Sequence, residues 1–128
     1  MIDTQELLKK EIQGMDELDL FDFFVKKAMS SENKNIRCKE NKIRGCVSGL
    51  WVKAELENGV VSVSADSDSL LIKGIALCIC EIFSHMTIEQ VRNTEIDFLN
   101  HTDLSGELDE RRRIGLSKIK DRVLSLEK

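Results

Sequence analysis

Residues 51–65 read WVKAELENGVVSVSA, and a single pairing accounts for all of them. Asn58-Gly59 is a strong two-residue turn signal, because both positions tolerate positive φ. Folding the chain back there sets Leu56 against Val61, Ala54 against Val63 and Val52 against Ala65, all on one face. The other face receives Glu57 with Val60, Glu55 with Ser62 and Lys53 with Ser64, and is mostly polar. A slip of one residue would turn the polar set inward, so the register is well specified. Trp51 falls on the polar face, near Asp66, where a large indole is either packed under a loop or available to a partner.

Outward from the hairpin the period changes. Ser67 or Asp68 can cap a helix running to about Ser84. It is apolar nearly all round through Leu70, Leu71, Ile72, Ile75, Leu77, Ile79 and Ile82, which suits a central helix over the core face of a sheet. Thr87 and Gln90 form a capping-box signal for another short helix. A last helix from about Asp109 carries Leu116, Ile119, Val123 and Leu126 on one stripe. Upstream, Glu6 to Gln13 reads as a short helix stopped at Gly14. Asp16 can cap a second, with Leu18, Phe21, Phe24, Val25 and Ala28 as its one buried stripe. Ser31 to Asn41 is polar and reads as a loop. The class is α+β, with helices packed on one face of a small antiparallel sheet.

The totals bound the function. A chain of 128 residues, 41% hydrophobic and 33% charged, fits one domain spanning 1–128 with a single core and no need of disulfides. The longest apolar stretch, Leu70 to Phe83, is short of a membrane span and contains Lys73 and Glu81. Met1 is followed by Ile2, Asp3 and Glu6, without the basic start of a signal peptide. The expected location is therefore cytoplasmic, where cysteines stay reduced. A net charge of −4 argues against a general nucleic-acid binder. That average conceals an asymmetry: residues 1–25 carry seven acids against two lysines, and residues 26–44 carry seven bases against two acids. A charge run can be simply a solvated loop, but this one leads directly into Cys46.

Cys46 stands between Gly45 and the strand beginning near Leu50, with Gly49 beyond it, so the backbone can bend and expose the side chain. Lys42 and Arg44 are close in sequence, and nearby positive charge favours a nucleophilic thiolate. The competing reading is a small buried hydrophobe. Cys78 and Cys80, two apart on a helix, point to different faces and read as core. Cys38, in the polar loop, reads as an incidental exposed thiol or a resolving partner for Cys46. His85 and His101 show no zinc-type spacing with any cysteine pair.

Gly45-Cys46-Val47-Ser48-Gly49-Leu50-Trp51 resembles the Gly-Cys-Gln-Ser-x-Val-Trp signature of SufE-type sulfur acceptors, with Val47 in place of glutamine. Asp66-Ser67-Asp68 with Lys73-Gly74 resembles that family's Ser-Asp motif and the basic-Gly pair of its central helix. Met86-Thr87 and Ile88-Glu89-Gln90-Val91 resemble its Met-Thr-Pro and following helix, with Ile88 in place of proline. Arg112-Arg113-Ile114-Gly115-Leu116 resembles its Arg-x-x-Gly-Leu segment, with Arg111-Arg112 where the family has Ser-Arg. The pieces cover about residues 41–116 in the expected order. The family's Tyr- and Trp-containing N-terminal helix motif is not recognisable.

The resemblance implies a SufE/IscU-like fold with a small antiparallel three-stranded sheet. It also implies that Cys46 accepts persulfide sulfur from a SufS-type, pyridoxal-phosphate-dependent cysteine desulfurase, stimulates that enzyme, and passes the sulfur to a SufB-containing scaffold complex for iron–sulfur cluster assembly. Asp68 and Arg112 match the family's acidic and basic positions near the cysteine. Arg44, Gly45, Ser48 and Trp51 are the expected partner-binding residues. Such a protein is a transfer protein rather than an enzyme, and would be a monomer or weak dimer. It would hold no cofactor beyond a transient cysteine persulfide, and no metal. Two alternatives belong to other classes: an IscU-like iron–sulfur or zinc scaffold, which needs more thiolates than Cys38 and Cys46 supply, and a thiol redox protein, for which only Cys38 could resolve.

Overall fold

The computed structural model describes residues 3–31, 34–44, 49–100, 102, 104, 108 and 110–126. Helix α1 spans Thr4–Ile12 and is capped by Asp3, whose carboxylate accepts from the Gln5 and Glu6 amides. Helix α2 spans Glu17–Met29 behind its Asp16 cap. Gly14 separates them at φ +80°, a conformation that costs glycine little. Two single turns of 3-10 helix, Lys34–Ile36 and Lys39–Asn41, occupy the stretch expected as loop. The hairpin strands are β1 (Leu50–Glu57) and β2 (Val60–Ser67), followed by α3 (Leu70–Phe83), α4 (Ile88–Arg92) and α5 (Glu110–Leu124).

The hairpin register is the one its pattern requires, with Val52 opposite Ala65, Ala54 opposite Val63 and Leu56 opposite Val61. Asn58 and Gly59 take φ of 54° and 83°, the double positive φ of a tight turn compatible with strand twist. Val52, Val61, Val63 and Ala65 are buried beneath α3, while Leu56, at the open end, stays partly exposed. From Leu71 to Cys80 every residue of α3 is buried, because α2 covers one side and the sheet the other. Ser69, rather than Ser67 or Asp68, is the cap of α3, its hydroxyl accepting from the Ile72 amide at 3.3 Å. The capping box of α4 forms as read, with Thr87 and Gln90 each accepting from the other's backbone amide.

Two expectations are corrected. Among the described residues the sheet has two strands, not three. Beside β1 there is one bridge, Lys42 with Trp51, and the Ile43 amide donates to the Leu50 carbonyl at 2.8 Å. A ladder stops there because the carbonyls of Glu40 and Lys42 accept from the Arg122 guanidinium instead. Beside β2, the His85 amide donates to the Val61 carbonyl and the Val61 amide to the Met86 carbonyl, each at 2.8 Å. Short pairings thus satisfy parts of both edges of a minimal sheet, which would otherwise invite strand addition.

The second correction concerns α2. Leu20, Phe24 and Ala28 form its buried stripe, whereas Leu18 and Phe21 are exposed. Phe24 and Ala28 were expected inside; Leu20 was not. The α2–α3 seam decides the rotation. A Cβ on Gly74 would lie 1.9 Å from the Phe24 carbonyl oxygen, so the backbones meet closely at that point and the i, i+4 row through Phe24 must face inward.

Candidate functional site

Gly45, Cys46 and Ser48, the centre of the sequence-based site, lie outside the described residues. What the structure defines is the frame on either side, Arg44 and Gly49, together with Asp68, Trp51 and Arg112. Chain geometry limits how far Cys46 can stand from that frame: about 7 Å from Arg44 and about 11 Å from Gly49, at most.

The Gly49 side is held tightly. Its amide donates to Asp68 Oδ1 at 2.9 Å, and its carbonyl accepts from the Ser67 hydroxyl at 2.5 Å and the Asp68 amide at 3.2 Å. Asp68 therefore binds the chain next to the 45–48 segment instead of capping α3. A side chain at Gly49 would have to displace two others, because an added Cβ would sit 2.7 Å from Asp68 Oδ2 and 2.8 Å from the Trp51 ring. The Trp51 indole is half-buried, with the Arg37 guanidinium over it at 4.7 Å. The sequence left this indole either packed or available; the structure covers part of it with Arg37 and leaves it half-exposed.

Arg37 leads to a cluster that sequence reasoning missed. Its Nε donates to Asp66 Oδ2 at 2.6 Å and its Nη2 to the Ser67 carbonyl at 3.1 Å. Asp66 is 1% exposed and also faces Lys73 Nζ at 3.2 Å; that ammonium donates in turn to the Ser31 carbonyl at 2.7 Å. Burial by itself would raise the Asp66 carboxyl. The hydrogen bonds and charges of Arg37 and Lys73 outweigh it together, and the acid ends below the usual carboxylate range. The available sequence signal was Asp66 opposite Trp51 at the end of a strand, where an unpaired acid would be costly, with a basic run upstream to supply the partner.

The Arg44 side is held by α5. Lys118 Nζ donates to the Arg44 carbonyl at 2.6 Å, and Arg122 Nη1 reaches the carbonyls of Glu40 at 3.2 Å and Val52 at 3.0 Å. Arg44 itself is exposed. Arg112 stands in the first turn of α5 and is half-buried, unlike its exposed neighbours Arg111 and Arg113.

The other thiols separate cleanly. Cys78 and Cys80 are buried in α3; burial pushes the Cys78 thiol up to about 12 and raises Cys80 further, so both remain protonated and unreactive at neutral pH. Cys38 is exposed.

Comparison with known proteins gives this frame its relatives. The profile of SufE, described as an Fe-S metabolism associated domain, matches residues 25–126. The chain belongs to the SufE family. A SufE-like protein of Synechocystis is 33% identical over 79 residues, which cover 62% of this chain and 50% of that protein. SufE-like protein 1 of Arabidopsis thaliana, chloroplastic/mitochondrial by its name, is 34% identical over 95 residues, covering 73% of this chain and 25% of the plant protein. The matched parts are thus half or less of those SufE-like proteins. In fold, the solution structure of a hypothetical protein from Thermus thermophilus superposes with a TM-score of 0.75 at 15% identity, covering 98% of this chain and 95% of the other.

Proposed function

We propose that this protein is a sulfur carrier that accepts persulfide sulfur on Cys46 from a SufS-type cysteine desulfurase, stimulates that enzyme, and delivers the sulfur to a SufB-containing scaffold. The supporting observation is that family membership coincides with hydrogen bonds that hold Arg44 and Gly49, the residues flanking 45–48 in the chain. One side is bound by Asp68 and Ser67 of the β2–α3 junction, the other by Lys118 of α5. A carrier needs its thiol at a fixed place for one partner and released to the next, which a short segment on two fixed ends provides.

The transfer is redox-neutral. The Cys46 thiolate attacks the outer sulfur of the enzyme's cysteine persulfide, and a new S–S bond forms on Cys46. The old S–S bond breaks, and the enzyme cysteine leaves as thiolate. Delivery repeats the same exchange with a thiolate of the scaffold as attacker. The exposed Arg44 is suited to greeting an acidic partner surface. Asp68 keeps the Gly49 end in place, and Arg112 supplies a half-buried cation at the start of α5. Gly45 and Ser48 complete the partner contact, with Trp51 packed close to Gly49 beside them in the chain. The sulfur is cargo, and no resident cofactor takes part in this exchange.

Intact-mass analysis after incubation with the cognate desulfurase and cysteine tests this. A gain of about 32 Da, one sulfur atom, is expected on wild type and absent on Cys46→Ser. A gain that persists on Cys46→Ser would move the role to another thiol. No gain on either protein, with an active desulfurase from the same organism, would overturn the carrier assignment.

A further inference from the structure

The side chain of Arg37 connects the two flanks of the 45–48 segment. On the upstream flank, residues 36–44 bond largely to one another and to β1. The Cys38 amide and the Asn41 side-chain amide both donate to the Ile36 carbonyl, at 2.8 and 3.0 Å. The Ile43 amide donates to the Leu50 carbonyl, and Lys42 bridges to Trp51. Arg37 belongs to this stretch, seven residues before Arg44. Its guanidinium, however, is committed to the other flank, where it bonds Asp66 through Nε and the Ser67 carbonyl through Nη2, and stands over the Trp51 ring.

Two of those contacts bear on Gly49. The Ser67 hydroxyl donates to the Gly49 carbonyl, and the Trp51 ring lies 2.8 Å from where a Cβ on Gly49 would stand. Arg37 therefore acts on Gly49 through Ser67 and Trp51 together, and Gly49 is three residues from Cys46. The combination suits an arginine: a guanidinium offers several donors in one plane and a face that stacks on an indole, whereas an ammonium is a point charge. Stability alone does not call for it. Asp66 keeps Lys73 at 3.2 Å when Arg37 is removed, and the Arg37 side chain is 33% exposed, so water screens what its ion pair contributes.

We propose that Arg37 is a positioning residue for sulfur transfer: by fixing Ser67 and Trp51 it holds Gly49, and so limits where Cys46 stands when the desulfurase persulfide arrives. The proposal rests on the carrier reading. Arg37 bonds to neither sulfur; it acts on the approach of the reacting atoms, to which transfer rates are sensitive. Lys73 is the control. It binds the same carboxylate from the other side, and its second contact is the Ser31 carbonyl rather than Ser67 or Trp51.

Single-turnover transfer from the persulfide-loaded cognate desulfurase to the whole chain, read by intact mass at several carrier concentrations, separates the maximal rate from the half-saturating concentration. Arg37→Ala is expected to lower the maximal rate about tenfold and to change the half-saturating concentration less than about twofold. Arg37→Lys can restore the ion pair with Asp66 but not the hold on Ser67 and Trp51 together. It is expected to recover the thermal melt lost in Arg37→Ala and to leave the rate low. Lys73→Met should show the reverse, a larger loss of melting temperature with transfer within about twofold of wild type. In the protein alone, amide exchange at Gly49 and Asp68, which bond to each other, should quicken about tenfold in Arg37→Ala and stay unchanged in Lys73→Met. Undiminished transfer by Arg37→Ala, a rate that returns with the melt in Arg37→Lys, or equal slowing by Lys73→Met would each overturn the proposal. So would unchanged exchange at Gly49, or a loss confined to the half-saturating concentration, which would make Arg37 a docking contact. A wild type that takes no sulfur from an active desulfurase would overturn the carrier reading itself, a result distinct from all of these.

Discussion

The seam between α2 and α3 and the Arg37–Asp66–Lys73 cluster both draw on α3, through Gly74 and Lys73, yet different physics holds each. At the seam, Phe24 and Gly74 bring two backbones together without a polar side chain in the contact. At the cluster, Arg37, Asp66 and Lys73 satisfy one another around a carboxylate that is almost wholly buried. At Phe24 and Gly74 the first region is fixed by shape, and its ion pair, Lys27 with Glu81, lies farther along the two helices. The second is fixed by charge, tolerates small displacements, and reports on protonation. On the proposed carrier reading, a frame that presents a segment to successive partners is better served by the second kind of contact, because hydrogen bonds can be exchanged one at a time whereas a close-packed seam opens all at once.

The contrast can be broken most severely at Gly74. Gly74→Ala forces a methyl group into the Phe24 carbonyl, a backbone atom that cannot step aside. It is expected to cost about 3 kcal/mol or more in urea unfolding, equally at pH 7 and pH 5. A neutral Gly74→Ala would mean that the seam slides and is not set by shape.

Asp66→Asn probes the other region. Removing the charge leaves Arg37 and Lys73 without their common anion, at an expected cost of about 2–3 kcal/mol at neutral pH, toward the lower end for a broken buried pair because the amide keeps some hydrogen bonds. The pH dependence follows from the sign of the shift. The folded-state acid lies below its unfolded value, so its stabilisation is complete above the unfolded value. It fades as pH falls below about 4 and is gone once pH passes under the folded value. Wild type and Asp66→Asn should therefore converge in stability on acidification. Parallel pH profiles would show that Asp66 contributes nothing through its charge.

The smallest expected effect sharpens the comparison from within α3. Cys80→Ala should lower stability by about 1 kcal/mol, the loss of one buried sulfur, and leave sulfur uptake unchanged by the mass assay. Loss of uptake in a folded Cys80→Ala protein would place chemistry in the core, against the burial that keeps this thiol protonated.

Much of this was legible in the sequence wherever contacts are local or strictly periodic. The hairpin register followed from alternation around Asn58-Gly59, and the boundaries of α3 from an apolar run ending near Ser84. The pairing of Thr87 with Gln90 followed from their spacing. Cys78 and Cys80 were correctly placed in the core for the same reason. The family signature was legible too, although its central residue, Cys46, lies outside the described residues. The misread features depend on partners distant in sequence. Five apolar positions on α2 cannot say which row turns inward until α3 presents Gly74 to Phe24. Asp68 looked like a helix cap because its alternative partner, the Gly49 amide, is nineteen residues away.

Sequence by itself therefore determined the elements, the register of the hairpin and the family, because each rests on periods and motifs a few residues long. Only the tertiary structure decided which row of α2 turns inward, why the sheet has two strands among the described residues, how Lys118 reaches the Arg44 carbonyl, and how Arg37 and Lys73 meet at Asp66. Those outcomes depend on close approach and on where buried polar groups find partners. Both are properties of chain segments that meet only once the core has formed.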